Sequence, residues 1–384
     1  MSSWGWQGPL FALVPFEYDK SRLENGDRNQ ALMTTRNANE RFIVGTGRCG
    51  STILSKMLDL HSHVAVLSEF MVAMDFVKKY GEREVSGAEL TEILDCGLGS
   101  NGEFKNIGAH LATPEIAFDA TAAPLNVVPE NYRDGVLPDL ILLPLANLFD
   151  DPGRVFEQLI EFAQAQPKRL LSQQYGLLFD WVTRRAGKTL WIERSGGTIA
   201  QLPELVALFP KAKFLHLHRN PLDVALSMRA HHHLRLFLFK RNCLVTADGV
   251  AWSDLDAGDL NNDMPMSPRL QSVFDHELPL DLFLRDWNDL IVRGFTALKA
   301  LSQSQYTEIS FEDLMADSQK VLRRVAEFFE LPDDEAWLAE ACALLEPGGA
   351  GHKEPSAEEL AMLEEHCESG LVLLGRKPPV VLSN

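Results

Sequence analysis

The sequence predicts a three-layer α/β/α fold around a central parallel sheet, and three observations lead there. Short apolar, β-prone runs begin near residues 42, 63, 189, 213 and 306, separated by stretches whose apolar residues recur at helical spacing. Several runs end in a charged residue or lead straight to one. The first run, Phe42–Val44, breaks into a glycine-rich turn that opens a helix. In open parallel sheets ligands bind beyond the carboxyl ends of the strands, so Arg48, Glu69, Arg194 and Arg219 are expected to converge.

The 384 residues, 46% hydrophobic and 23% charged, suffice for a sizeable core. The expected organisation is an extended arm over residues 1–40 and a single domain over 41–384, with insertions at about 101–150 and 236–280. A net charge of −18 argues against a nucleic-acid partner or an anionic membrane surface, so an anion would need a local basic pocket. Five scattered cysteines with no metal-type spacing argue against a disulfide framework and for a reducing compartment. The first 20 residues lack the pattern of a signal peptide, and nowhere do 18 apolar residues run together. A soluble, cytoplasmic protein with no membrane span is expected.

In chain order, Gly45-Thr46-Gly47-Arg48-Cys49-Gly50-Ser51-Thr52 joins the first strand to a helix with apolar positions 53, 54, 57 and 58. Glycines let backbone N–H groups approach an anion, and the first turn of the helix offers more of them. Arg48 adds a planar donor fork, and Ser51 and Thr52 add hydroxyls. Gly45 and Gly50 have the spacing of a Walker A loop, but Ser51 stands in its Lys position. Cys49 is read as a small residue tolerated in the turn, with a nucleophile as the alternative.

Residues 63–70 form a second strand ending in Glu69, and Ser86-x-x-Glu89 is a capping box for the next helix. Prolines at 114, 124, 129, 138 and 144 make 101–150 resist regular structure. Helices are predicted from 151 and over 170–185, then a strand over 189–194 ending in Glu193-Arg194, and a helix over 200–209. The strand 213–219 runs into a helix with Asn220 as N-cap and Pro221 at its first position. Residues 244–280 read as a long lid loop rather than an EF-hand, whose glycine and twelfth position do not fit. A helix over 281–300, a strand over 306–313, a helix over 318–330, a glycine loop around Lys353 and a final helix capped by Ser356 complete the chain.

Arg219, with Ser227 along the first face of the following helix, forms a second grip for a phosphate. At these two motifs the sequence resembles the sulfotransferases that use 3′-phosphoadenosine 5′-phosphosulfate (PAPS), in a P-loop-NTPase-like sulfotransferase fold. The resemblance implies that Thr46, Gly47, Arg48, Cys49, Gly50, Ser51 and Thr52 hold the 5′-phosphosulfate, and that Arg219 and Ser227 hold the 3′-phosphate. It extends to Phe311-Glu312-Asp313-Leu314 and, in type, to Lys353 as a cation closing on the 3′-phosphate. Arg48 stands where the cytosolic small-molecule branch has Lys, which brings the chain nearer the branch of tyrosylprotein and several bacterial sulfotransferases. That branch implies Glu69 as general base, and Arg48 and Arg194 as stabilisers of the transferring group, without metal. A sulfuryl group carries less charge than a phosphoryl, so a metal-free loop built on one Arg is chemically sensible.

Structural readings stand beside these: Glu69 as a salt-bridged strand-end acid, Arg194 as a partner of Glu193. His231, His232 and His233 point in different directions on a helix and do not suit one metal ion, though one of them is an alternative base. The rival functions are a P-loop nucleotide kinase and a non-catalytic nucleotide-binding protein. The acceptor expected is a hydroxylated small molecule, lipid or carrier-bound acyl chain, with a homo-oligomer or carrier protein as partner.

Overall fold

The computed structural model describes residues 40–74, 79–95, 107, 138–261, 265–345 and 355–376. The proposed arm over 1–40, most of 101–137 and the Lys353 loop fall almost wholly outside them. Five strands, β1 (Arg41–Val44), β2 (Val64–Ser68), β5 (Leu190–Arg194), β6 (Lys213–His218) and β7 (Tyr306–Ser310), form one sheet in the order β2-β5-β1-β6-β7. Every pairing in it is parallel, with Ser68 opposite Arg194, Val44 opposite His216 and His218 opposite Ser310. The chain leaves β1 toward one edge and later toward the other, so the carboxyl end of β1 is a topological switch point. Two-residue strands β3 (Glu84–Val85) and β4 (Arg169–Leu170) pair separately and antiparallel.

Alternation along the strands separates two cores. Phe42, Val44, Leu67 and Phe214 face one layer; Ile43, Val64, Val66, Ile192, Leu215, Leu217 and Ile309 face the other. The sheet is therefore the middle of three layers, as the sequence predicts. The helices of six residues or more are α1 (Ser51–Asp59), α2 (Gly87–Leu94), α3 (Pro152–Gln164), α4 (Leu171–Arg185), α5 (Leu202–Leu208), α6 (Pro221–Ala230) and α7 (His232–Arg241). There follow α8 (Pro268–Asp275), α9 (Leu280–Leu298), α10 (Phe311–Ala316), α11 (Ser318–Phe329), α12 (Glu335–Ala343) and α13 (Ala357–Leu373). On the second layer Trp337 Nε1 of α12 donates to Met57 O of α1 at 2.6 Å, which fixes the helix that the glycine turn opens.

Both expected capping boxes are present, at Ser86 with Glu89 and at Ser356 with Glu359, and Asn220 caps α6 through the Leu222 N–H. Three boundaries differ from the sequence reading. The last strand stops at Ser310, because the Ser310 hydroxyl accepts the Asp313 N–H and starts α10. The 244–280 segment is not a plain loop: Ser267 caps α8, while Thr246, Trp252 and Leu260 are buried. In the proline-rich stretch Ile141–Leu145 wind as a π-helical turn with Pro144 inside it.

The turn Thr198–Gln201 after β5 is wedged against α9, where Gly294 leaves room for it. A Cβ at Gly294 would lie 2.3 Å from Ile199 Cγ1 and 2.5 Å from Ile199 O. A mid-helix Gly→Ala change ordinarily stabilises by about 1 kcal/mol. Gly294→Ala should instead destabilise by about 1–3 kcal/mol through overpacking, measured by urea denaturation.

Candidate active site

The turn Gly45–Gly50 leaves β1 and enters α1 at the switch point. Gly45 is required by crowding, since a Cβ there would meet Cys49 Sγ and Leu217 O, each at 2.8 Å. Gly47, Arg48 and Gly50 all hold positive φ, the left-handed backbone that anion nests use. Gly50, in left-handed backbone, opens α1 with no side-chain cap of its own. Thr46 turns its hydroxyl onto Gly47 O at 3.0 Å, Ser51 is buried, and Thr52 is exposed at the helix start. Cys49 is fully buried, and burial pushes its thiol up, which fits a packing role and opposes a nucleophile.

The two motifs of the sequence meet. Arg48 Nε, from the glycine turn, donates to Ser227 Oγ on α6 at 3.0 Å. Arg219 follows β6, pairs with Asp223 at 3.7 Å and lays its guanidinium over the Phe311 ring at 4.6 Å. Its Nε is buried with no hydrogen-bond partner among the described residues. Phe311 also fills the space beside Gly50, where a Cβ would lie 2.1 Å from the ring. One aromatic side chain thus supports both anion motifs. Sequence reasoning gave Phe311 no part in the site; its position directly after the last strand was the available signal. His218 lies beside Arg219, but burial holds it down to about 4, so Arg219 supplies the cation at this strand end.

Glu69 sits at the carboxyl end of β2 in left-handed backbone, φ 60°. Its carboxylate pairs with Arg194 and accepts the Gly196 N–H at 2.9 Å, while its own N–H donates to Arg194 O at 2.6 Å. Arg194 also donates from Nε to Ser55 Oγ of α1 at 2.9 Å and from Nη2 to Ser68 Oγ at 3.4 Å. Its ion-pair partner is Glu69 and not Glu193, because neighbours on a strand point to opposite faces. The next turn touches the glycine loop: Ile199 N–H donates to Gly45 O at 3.3 Å, and Gly197 N borders Gly47. A base candidate, a cation and an anion nest therefore share the carboxyl edge of the sheet.

His231 ends α6, and His232 and His233 begin α7; burial pushes His233 down to about 4. Lys353 lies outside the described residues. Among the described residues no group of three or more His, Cys, Asp or Glu is arranged to hold a metal ion. Among them, too, no helix is long and apolar enough to cross a membrane.

Residues 198–344 match the model of the sulfotransferase domain, and residues 147–245 match a second model described as a sulfotransferase family. Arg219 and Ser227 lie inside both matches; the glycine turn and Glu69 precede both. Solved structures similar to the chain include a sulfotransferase domain from the curacin biosynthetic pathway, at 16% identity, covering 90% of this chain and 100% of that one with TM-score 0.46. A sulfotransferase from Mycobacterium avium is 14% identical over 91% of this chain and 78% of that one, TM-score 0.43. A mouse sulfotransferase complexed with PAP is 14% identical over 84% of this chain and 68% of that one, TM-score 0.34. No curated protein sequence matches the chain.

Arg194→Lys keeps the charge but cannot reach Ser55, Ser68 and Glu69 together. It should destabilise the fold by about 1–3 kcal/mol, read from urea denaturation.

Proposed function

We propose, from the sulfotransferase matches over residues 198–344 and 147–245 and from the site's geometry, that the chain is a PAPS-dependent O-sulfotransferase. The observation that carries the reading is the Arg48–Ser227 hydrogen bond, which brings the two anion motifs into one site. The residues suit a nucleotide with anionic groups at both ends. The nest at Gly47, Arg48 and Gly50, with Ser51 and Thr52 in the first turn of α1, would hold the 5′-phosphosulfate. Arg219, whose guanidinium lies over the Phe311 ring, would hold the 3′-phosphate with Ser227, and Lys353 is proposed to close on it. The bound donor supplies a sulfuryl group whose leaving group is a phosphate.

The remaining chemistry belongs to the chain. An acceptor hydroxyl has a high pKa, so a base must take its proton as the new S–O bond forms, and Glu69 is assigned that proton. Arg194 orients the Glu69 carboxylate, and Arg48 offsets charge that develops on the leaving oxygens. The reaction as proposed needs no metal ion. A P-loop kinase is disfavoured because Ser51 replaces the loop Lys that phosphoryl transfer uses. The acceptor is proposed to be a hydroxylated small molecule, lipid or carrier-bound acyl chain. The four described cysteines are free, which suits a reducing cytoplasm.

Adenosine 3′,5′-bisphosphate should raise the melting temperature clearly more than 5′-AMP, and more than ATP with Mg²⁺. Equal shifts would remove the 3′-phosphate from Arg219 and Ser227. Glu69→Gln should retain that bisphosphate shift and lose turnover of radiolabelled PAPS by about 100-fold or more; retained turnover would move the base, first to His231, His232 or His233.

A further inference from the structure

Beneath Glu69 lies a second acid that the proposed chemistry does not use. Glu193, next to Arg194 on β5, is 1% exposed. Its Oε1 accepts the Met71 N–H at 3.0 Å and the Ser195 hydroxyl at 2.5 Å. Ser195 Oγ in turn accepts the Val72 N–H at 3.3 Å. With Glu69 N–H on Arg194 O and Gly196 N–H on the Glu69 carboxylate, residues 193–196 grip the turn after β2 at four points. Such a grip is what a left-handed, non-glycine Glu69 requires, since that backbone is unfavourable unless its surroundings fix it.

We propose that Glu193, acting with Ser195, is a positioning residue that holds the 69–72 turn so that the Glu69 carboxylate stays aimed at the site. The inference rests on the reading of Glu69 as the base. Glu193 does not touch the reacting groups; it acts through the backbone of Met71 and Val72.

The bracket also binds a proton. Glu193 Oε2 is buried with no hydrogen-bond partner among the described residues, so the ionised form leaves one oxygen uncompensated. Burial is the main cause that pushes Glu193 up to about 7, and the Glu69 charge adds to it. The Ser195 and Met71 hydrogen bonds and Arg194 act in the opposite direction. Tyr80 also faces it: burial first, then the charges of Glu193 and Glu204, push the Tyr80 phenol up. Lys79 is bonded to Met71 O in the same turn. The sign follows. Between the ordinary carboxylate value and about 7 the folded chain holds a proton that the unfolded chain has lost, so stability falls as pH rises through this window. Above about 7 both states are ionised and the loss is complete.

Three variants test the bracket, with water as acceptor: release of sulfate from radiolabelled PAPS gives kcat and the donor KM. Glu193→Ala should lower kcat by about tenfold or more with the donor KM within about twofold. Glu193→Gln, which keeps an oxygen for Met71 N–H, should recover most of that loss, and Ser195→Ala should fall between. The melting temperature of wild type relative to Glu193→Gln should drop by several degrees from pH 5 to pH 8. The proposal is overturned if Glu193→Ala keeps wild-type kcat, if Glu193→Gln is no better than Glu193→Ala, or if the melting difference is flat with pH. Should Glu193→Ala not fold, Glu193→Gln and Ser195→Ala decide. They then must show a near-wild-type and a lowered kcat, respectively. Failure of the base itself is separate: Glu69→Gln would then retain turnover, while the pH-dependent melting difference of Glu193→Gln would persist.

Discussion

The Arg194–Glu69 ion pair at the carboxyl end of β5 is the contact on which the site depends. Arg194 joins β5 to Glu69, to Ser68 of β2 and to Ser55 of α1, and α1 is the helix opened by the glycine turn. Arg194 is buried but Glu69 is partly exposed, so the attraction is offset by desolvation on one side and screened on the other, and the pair contributes little net stability. Its effect is geometric. Arg194, buried beside Ser55 and Ser68, would be costly to leave unpaired, and Glu69 is the carboxylate that pairs with it. The site inherits its spacing from this pair and not from a loop.

The same logic explains how a chain with net charge −18 can carry the nucleotide site proposed for it. Charge is settled locally. The parallel sheet places Arg48, Arg194 and Arg219 along one carboxyl edge, beside the glycine turn with its three residues of positive φ. Acidic residues elsewhere act mostly across solvent and are screened within about 8 Å at physiological salt. Phe311 contributes no charge, but its ring lies against both Arg219 and Gly50 and so ties the two proposed anion grips to one side chain.

What the sequence discloses depends on range. The caps at Ser86, Asn220 and Ser356 are legible because each rests on hydrogen bonds between residues two or three apart, and the glycine turn because its spacing is local. The Ser310 cap was equally local, yet apolar Ile309 and Phe311 on either side made the segment read as strand. Ser267-Pro268 was a helix start that the surrounding Asp, Asn and Pro concealed. The sequence offered Glu193 as the partner of Arg194, since adjacency is all a sequence shows. Parallel pairing of β2 with β5, Ser68 opposite Arg194, supplies Glu69 instead. Nor could a sequence tell that Glu193 is wholly buried, because a charged residue at a strand end is ordinarily solvated.

Backbone strain gives an independent reason to place the chemistry at these two turns. Four non-glycine residues among those described have positive φ: Arg48, Glu69, Cys243 and Glu330. Glu330 caps the end of α11 and Cys243 follows the end of α7, and helix ends commonly adopt this backbone. Arg48 and Glu69 lie instead just beyond the carboxyl ends of β1 and β2. A left-handed residue with a side chain costs about 1–2 kcal/mol relative to the right-handed form, a cost glycine would largely avoid. Glycine at either place would discard the only feature these positions add, a charged group held at a fixed angle beside an anion nest. The surrounding bonds from residues 194–196 and from Ser227 hold both residues there, and structure alone gives no reason for the chain to bear that strain twice.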